Sequence, residues 1–469
     1  MLTTSQEQRQ EFVQLLRLTL VTDNQQRKMS EDRLNSIDSV VKTKLLLDVI
    51  MNETNEEVVQ AAALMLRRLI IQIKIVSPDQ ASYLNEIKVT IPTLCLKEKN
   101  IAIRNKLVDV MSELIKLANF EESFTYDEAP QFFYQCISSN DEVGKLIAFR
   151  ILDSSASVAI KFSDQQLCEV YKKISEVMSL DLATHNNLVV EAVRAFTNLT
   201  LYLPKNKSGQ FFNTPFQILM HIVKTCNEPD CCVEILEELD ELIESCREMI
   251  KPSLLLVVET LLAVLSSQQA DEATRVGAME SLVLLAQKLK KEFQESCQPY
   301  YENIVDILMR HLMLVEDDPN WACSTEEDDE DDNDIASEAE SSLDRIVCVV
   351  RGKAMFHIIK DKTSLLLSSK VWQHRYAALS TISCVAEGAH KQMKQYLPSI
   401  VDAIVPFMFD EHPRVVYACI TCIGQLSTDF DEYLTSNFHE KIIPLMFQAS
   451  EFYISFPKIR AHAVCCLST

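Results

Sequence analysis

Glycine is almost absent from this sequence. Only 6 of the 469 residues are glycine, roughly 1%, against an average usage of about 7%. Glycine supplies the positive φ angles of tight strand turns and the close backbone approach of phosphate-binding loops. Its scarcity argues against a sheet-rich fold and against a nucleotide-binding enzyme. The sequence also contains no glycine-rich phosphate loop and no nucleophile elbow. It therefore predicts a protein that is not an enzyme and that needs no cofactor.

A surplus of basic residues is also missing. The chain has 45 Lys and Arg against 68 Asp and Glu, which gives a formal net charge of −23 at pH 7. A surface that binds the phosphates of DNA or RNA needs an excess of Lys and Arg. We therefore predict no direct binding of nucleic acid. The 9 histidines are not arranged at ligand spacing, so no metal site is predicted.

Disulfide-like spacing is absent among the 15 cysteines. Most of them lie inside apolar stretches, which predicts buried, reduced thiols in an intracellular protein. Cys419 and Cys422 match a C-x-x-C motif, but they lie inside a helical pattern with no second pair at zinc spacing, so core packing is favoured over a metal or redox role. The longest apolar run, residues 254–265, contains Glu259 and Thr260. It is shorter than the roughly 20 residues of a membrane helix, so no membrane association is predicted.

Apolar residues make up 47% of the chain, and they recur at helical spacing. One set marks the face of a first helix (Leu397, Ile400, Val401, Ile404, Val405, Met408), and another marks a second helix (Val416, Ile420, Ile423, Leu426). The turn 410–413 separates them. Ala418 and Gly424 on the second helix are small enough to let a neighbouring helix approach closely.

This helix pair recurs along the chain. Ala377, Ala418 and His462 occupy equivalent places, 41 and 44 residues apart, and helix pairs with a period of about 40–47 residues are typical of HEAT repeats. The sequence predicts an all-α fold, a right-handed α-solenoid superhelix of HEAT repeats with about eleven helix pairs. Because the last residues are apolar and interrupt a second helix, we expect the solenoid to continue beyond them.

The predicted organisation has four parts. They are residues 1–117, the N-terminal HEAT repeats; residues 118–298, repeats 4–7; residues 299–352, repeat 8 with an acidic loop at 316–341; and residues 353–469, repeats 9–11 with the last one truncated.

The acidic loop is the most unusual segment of the chain. Residues 316–340 contain thirteen acidic residues and no basic one. Like charges at this density repel each other and cannot form a packed core. Two interpretations stay open: a solvated spacer, or a mobile anionic arm that meets a basic partner.

Second helices line the concave surface on which HEAT solenoids bind other proteins. Glu387 and Asp429 end successive second helices, where an acidic side chain is unfavourable to the helix dipole. This position is explained if the two carboxylates pair with Lys or Arg side chains of a partner. The alternative is that they are exposed acids without a role. Trp372 and Tyr417 stand near the starts of the same helices. They are either core residues or platforms for aliphatic lysine stems.

Several stretches resemble the importin-beta superfamily, in its importin-five (karyopherin beta type three) branch. Residues 23–28 (DNQQRK) and 58–69 (VVQAAALMLRRL) resemble its N-terminal motifs. Residues 316–321 (EDDPNW), with the acidic run that follows, resemble its acidic loop, and residues 412–415 (HPRV) resemble a repeat of that branch. The match is specific over 20–70 and 299–469, which suggests the N-terminal portion of such a receptor.

The resemblance implies a monomeric nuclear transport receptor that shuttles between cytoplasm and nucleus. Its expected partners are Ran-GTP, basic cargo proteins or import-signal peptides, and Phe-Gly nucleoporins. The Ran-binding candidates are Arg27, Lys28, Arg67, Arg68, Glu316, Asp317, Asp318, Asp328, Asp329, Glu330, Asp331 and Asp332. The cargo-binding candidates are Trp372, Glu387, Tyr417 and Asp429. The alternative is a HEAT scaffold or regulatory subunit of a complex unrelated to transport.

Overall fold

A computed structural model describes residues 6–73, 78–323, 335–350, 352 and 354–467, and no strand occurs among them. Contacts between residues divide the chain into two compact units, Met1–Leu219 and Met220–Thr469. Each unit is a series of packed helices, and the boundary falls inside a helix that spans Asn213–Thr225.

Twelve helices begin in the first unit. They are α1 Gln6–Leu18, α2 Asn24–Ser36, α3 Ser39–Asn52, α4 Glu56–Gln72, α5 Pro78–Lys97, α6 Ile101–Phe120, α7 Glu128–Ile137, α8 Glu142–Ser155, α9 Asp164–Met178, α10 Leu182–Tyr202, α11 Lys205–Ser208 and α12 Asn213–Thr225.

Fourteen helices follow among the described residues of the second unit. They are α13 Pro229–Ser245, α14 Arg247–Ile250, α15 Leu254–Ser266, α16 Glu272–Lys288, α17 Lys290–Ser296, α18 Tyr301–Leu312, α19 Ile335–Val350, α20 Phe356–Leu367, α21 Trp372–Cys384, α22 His390–Met393, α23 Leu397–Ile404, α24 Pro413–Asp429, α25 Asp431–Phe452 and α26 Pro457–Cys466.

Polar caps explain where many of these helices begin. The Asp23 side chain accepts hydrogen bonds from the backbone N–H groups of Gln25 and Gln26 at the start of α2. Ser163 and Gln166 form a reciprocal capping box at the start of α9. Such caps satisfy N–H groups that lack a partner within the helix, and each contributes about 1 kcal/mol.

The helices pack as stacked pairs, which confirms the predicted all-α HEAT-type solenoid. Within a pair, α3 packs on α4 and α20 packs on α21. Second helices also pack on one another, as α4, α6, α8 and α10 do in the first unit and α13, α16, α19, α21, α24 and α26 do in the second. The described residues contain eleven such pairs.

The apolar faces predicted for the tenth pair are buried, except that Ile400 is half-buried. Leu397, Ile404 and Met408 are fully buried, as are Val416 and Leu426. Gly424 makes the close approach expected of it, because a Cβ atom there would lie 3.0 Å from the Cys466 Sγ atom of α26.

The cysteines depart from the sequence prediction in two ways. Cys168, Cys323 and Cys465 are exposed and not buried. The prediction of reduced thiols throughout is wrong for Cys226 and Cys232, which form a disulfide with a Cα–Cα distance of 5.9 Å across the turn between α12 and α13. Two cysteines so close in the sequence meet when a turn reverses the chain, and apolar spacing does not report that. Cys419 and Cys422 are fully buried, and burial raises the pKa of both thiols, which supports core packing.

One stretch, Arg247–Ser266, is long and apolar enough to cross a membrane by length and composition alone. A core helix passes the same test. Val257, Val258 and Leu261 of α15 are fully buried, and α15 packs on α16 and α18. Core packing therefore accounts for the high hydropathy of this stretch.

Candidate functional site

Three carboxylates lie together on the second helices of the second unit, and we call them the acid row: Asp344, Glu387 and Asp429. Asp344 lies on α19, Glu387 just beyond α21, and Asp429 at the end of α24. Burial raises the pKa of Asp344, and the nearby charges of Glu387 and Asp429 raise it further. The three groups therefore share one anionic field, in which a cationic side chain would be stabilised.

Asp344 was not among the sequence candidates. The interval from Asp344 to Glu387 nearly equals the interval from Glu387 to Asp429. This interval is the repeat period, so extending the period backwards from Glu387 would have found it. The Cys348 thiol donates to Asp344 Oδ1 over 3.5 Å. Asp344 is half-buried, whereas Glu387 is exposed.

The predicted aromatic residues lie at the opposite ends of the same helices. Trp372 begins α21, and its ring stacks on His412, with centroids 3.7 Å apart and planes 4° apart. Tyr417, in the first turns of α24, stacks on His462 at 4.0 Å. The structure thus brings Glu387 and Asp429 near Asp344 and places Trp372 and Tyr417 near the starts of successive second helices, but it does not gather all four in one place. Their cargo-binding role stays a prediction.

The described part of the acidic loop contacts the start of α24, where His412 and Tyr417 lie. The exposed residues Glu316, Asp317 and Asp318 follow α18, and Asp317 Oδ1 lies 3.3 Å from His412 Nε2. Trp321 meets Tyr417 edge to face, with ring centroids 5.2 Å apart. The other predicted acidic candidates, Asp328, Asp329, Glu330, Asp331 and Asp332, lie outside the described residues.

The basic Ran-binding candidates belong to the first unit and have different surroundings. Arg27 and Lys28 are exposed on α2, and Arg27 Nη2 donates to Asn24 Oδ1 of the same helix over 2.7 Å. Arg68 is exposed on α4.

Arg67 is held within the stack of second helices. Its guanidinium lies 3.0 Å from Glu113 and 3.6 Å from Asp109, both on α6. Asp109 also forms an ion pair with Arg150 of α8 at 3.1 Å, and Arg150 forms another with Asp153 at 2.9 Å. This ladder of alternating charges links α4, α6 and α8, so Arg67 has a structural role in the stack.

No candidate metal site is found among the described residues. Among the described residues, no group of three or more His, Cys, Asp or Glu side chains could hold a metal ion.

Comparison with protein families gives three matches. A family described as IPO5-like TPR repeats matches residues 99–260, and a family described as importin repeat matches residues 267–357. The EF3 N-terminal HEAT repeat matches residues 324–423. The two importin-type families follow one another along the chain, and the third is a further helical-repeat family.

Two curated relatives carry importin names. Importin subunit beta-3 of Saccharomyces cerevisiae is 23% identical over 386 residues, covering 81% of this chain and 34% of the relative. A probable importin-5 homolog of Dictyostelium discoideum is 30% identical over 163 residues, covering 34% of this chain and 14% of the relative. The chain thus spans about a third of the length of the first relative.

Solved structures of Kap121p share the fold. Kap121p bound to RanGTP has a TM-score of 0.85 at 22% identity, with 99% of this chain and 44% of that chain covered. Kap121p bound to Pho4p has a TM-score of 0.85 at 22% identity, with 98% and 45% covered. A third structure, with a TM-score of 0.85 at 21% identity, is a Kap121p variant. It carries lysine in place of two aspartates and a glutamate.

The stacked helix pairs and these matches define the class of protein, which is a HEAT-repeat solenoid of the karyopherin type. The chain belongs to the importin-beta family, in the branch that contains importin-5 and importin beta-3. This confirms the resemblance that the sequence motifs indicated.

Proposed function

We propose that this chain acts as a nuclear import receptor that binds basic cargo or import signals and releases them when Ran-GTP binds. The observation that carries the proposal is the acid row. Asp344, Glu387 and Asp429 have the same order, Asp, Glu and Asp, and the same two sequence intervals as the acids exchanged for lysine in the Kap121p variant. They offer an anionic surface on successive second helices, which suits the Lys and Arg side chains of an import signal.

The proposal includes the wider cycle of such a receptor. Kap121p has been solved with RanGTP, Pho4p and Nup53p, and by analogy we propose that this chain binds Ran-GTP, basic cargo and Phe-Gly nucleoporins. It would pass between cytoplasm and nucleus as a monomer. Transport of this kind needs no catalytic group of its own. A HEAT scaffold unrelated to transport is the alternative, and it would have no requirement for the acid row.

The first experiment reverses the charge of the acid row. A variant with Asp344→Lys, Glu387→Lys and Asp429→Lys is compared with the wild-type chain for binding of a fluorescent basic import-signal peptide. A hydrogen bond to a charged group contributes about 1.5 kcal/mol or more, so each lost contact lowers affinity about tenfold. Wild-type affinity should also fall as salt rises from about 50 mM to about 300 mM, because counterions screen the exposed charges.

The control changes the same number of charges elsewhere. Asp361, Glu432 and Glu440 are exposed on α20 and α25, so Asp361→Lys, Glu432→Lys and Glu440→Lys give the same net charge away from the second helices. If both triple variants bind the peptide equally well, the acid row is not the cargo site.

Ran binding has its own test. Of the N-terminal candidates, Lys28 and Arg68 are exposed and available to a partner, so Lys28→Ala and Arg68→Ala should weaken capture of Ran locked in its GTP form. Arg67→Ala should instead lower thermal stability, because it leaves Glu113 and Asp109 without that partner. A wild-type chain that captures no Ran-GTP would contradict this part of the proposal.

A further inference from the structure

The described base of the acidic loop is anchored, although its acidic residues point to solvent. We call residues 314–323 the strap. Val315, Trp321 and Ala322 are buried, while Glu316 to Asn320 are exposed. A tight turn presents the indole: Asn320 N–H donates to Asp318 Oδ1 over 2.9 Å, and Trp321 N–H donates to the Asp318 carbonyl over 3.2 Å. Two buried anchor points therefore hold an acidic segment between them.

Two cationic side chains lie over the indole ring of Trp321. The Arg414 Cζ atom of α24 lies 4.5 Å from the Trp321 ring centroid, and the Lys458 Nζ atom of α26 lies 4.6 Å from it. Tyr417 closes the pocket with its ring at 83° to the indole. The negative faces of an indole attract cations, so this arrangement selects a Trp side chain over an aliphatic one.

The walls of this pocket are themselves fixed by contacts. Tyr417 stacks on His462, and His462 Nε2 lies 2.8 Å from Thr421 Oγ1. The Thr421 hydroxyl donates to the Tyr417 carbonyl over 3.0 Å. Since that hydroxyl proton is used, Thr421 Oγ1 accepts the Nε2–H of His462. These contacts hold the Tyr417 ring through groups other than the indole.

A second contact recognises an acid four residues before the tryptophan. His412 Nδ1 accepts the backbone N–H of Arg414 over 3.3 Å, so the ring proton lies on Nε2. That Nε2–H donates to Asp317 Oδ1 over 3.3 Å. Trp372 stacks on a face of the His412 ring and fixes its plane. Together, His412, Arg414, Tyr417 and Lys458 form what we call the indole cleft.

The indole cleft is separate from the acid row. Asp429 lies twelve positions after Tyr417 on α24, which is about 18 Å at 1.5 Å per residue. This distance exceeds the Debye length of about 8 Å at physiological ionic strength. The two surfaces also differ in sign, because the cleft offers cations and the acid row offers anions.

We propose that the indole cleft is a second protein-binding site, which recognises a segment with an aspartate four residues before a tryptophan. The strap is its occupant within the chain, and a partner segment of the same chemistry exchanges with it. Trp321 is distant in the sequence from both Arg414 and Lys458. The contacts are made between side chains of distant segments, so a separate peptide can reproduce them. This site goes beyond the proposed cargo and Ran binding and does not depend on either.

The test uses a fluorescein-labelled peptide with the sequence of residues 314–323, with serine in place of Cys323. Its binding is measured by anisotropy to the full chain and to the Trp321→Ala variant, in which the indole has left the cleft. A tethered occupant acts at an effective concentration in the millimolar range. We expect the peptide to bind the Trp321→Ala chain at least tenfold more tightly than the wild type.

Matched variants assign the binding to the cleft. On the Trp321→Ala background, Arg414→Gln with Lys458→Gln should reduce peptide binding at least tenfold. Lys391→Gln with Arg460→Gln, at exposed positions of α22 and α26, should leave it unchanged. A peptide with alanine in place of the tryptophan should not bind. Absence of binding to the Trp321→Ala chain, or equal binding to both chains, would overturn the proposal.

A measurement on the intact strap guards against a folding defect in the Trp321→Ala variant. The chain has two tryptophans, so Trp372→Phe leaves Trp321 as the sole tryptophan, which is excited selectively at its long-wavelength edge. Adding Arg414→Gln and Lys458→Gln should shift its emission to the red as the indole enters water. If the emission does not move, the two cations do not hold the strap and the inference fails.

Discussion

The ion pair between Arg375 and Asp410 joins α21 to the turn before α24, and its removal gives a specific prediction. Arg375 Nε and Nη2 lie 2.7 Å from the two Asp410 oxygens. The two side chains are only 13% and 7% exposed. The hydrogen bonds with Asp410 raise the pKa of the Arg375 guanidinium. Arg375→Ala would therefore leave a buried carboxylate without its cation.

The expected cost follows from what each group retains. After Arg375→Ala, Asp410 keeps the N–H of His412 at 2.9 Å, and we expect a loss of about 3 kcal/mol in the free energy of unfolding, the lower end of the range for breaking a buried pair. After Asp410→Ala, Arg375 keeps the carbonyls of Ser369 and Lys370 at 3.1 Å. We expect this variant to lose less, about 2 kcal/mol.

The double variant separates the pair from its surroundings. Arg375→Ala with Asp410→Ala removes both charges, so it should cost about 2 kcal/mol less than the sum of the single variants. Urea unfolding followed by tryptophan emission is a suitable assay, because Trp372 begins the helix that carries Arg375.

An exposed ion pair serves as the control. Lys441 Nζ lies 2.6 Å from Asp402, and these side chains are 43% and 68% exposed. Lys441→Ala should cost less than about 1 kcal/mol. If Arg375→Ala costs no more than Lys441→Ala, or if the two single effects simply add, the burial argument is refuted.

Two further predictions concern the second helices. Burial lowers the pKa of His462 from 6.5 to about 4, so the unfolded chain binds more protons between these values. Stability should then fall as pH drops from about 6.5 towards 4, by on the order of 2 kcal/mol after allowance for partial exposure, and His462→Gln should flatten this slope in urea titrations. Gly388→Ala should lower the melting temperature more than Gly424→Ala. A Cβ at residue 388 would lie 2.9 Å from the backbone N of Cys348, whereas one at residue 424 meets the end of the Cys466 side chain, which can rotate away; equal shifts would contradict this.

The helix pairs could be predicted from local patterns in the sequence. Apolar residues at helical spacing predicted which residues of α24 are buried, and Val416 and Leu426 are. The repeat period predicted that second helices stack, because each amphipathic helix must bury its apolar face on a neighbour. The motifs of residues 20–70 and 316–321 indicated the importin-beta family before any contact was known.

Which residues make up the candidate binding surfaces depends on contacts between segments that are distant in the sequence. The repeat period could have pointed to Asp344, but its grouping with Glu387 and Asp429 arises only when α19, α21 and α24 lie side by side. Arg67 shows the same limit, since its ion pairs with α6 become visible only when the two helices are stacked.

The acidic loop shows both sides of this division. The sequence by itself places a run of like charges in the eighth helix pair, and it predicts that this run does not pack, since no basic residue accompanies it. Only the tertiary structure decided that the base of this loop is fastened to α24 and α26 by Trp321. A tryptophan beside an acidic run has no preferred partner of its own. Arg414, Tyr417 and Lys458 reach it because the tenth and eleventh helix pairs stack and bring the starts of their second helices together.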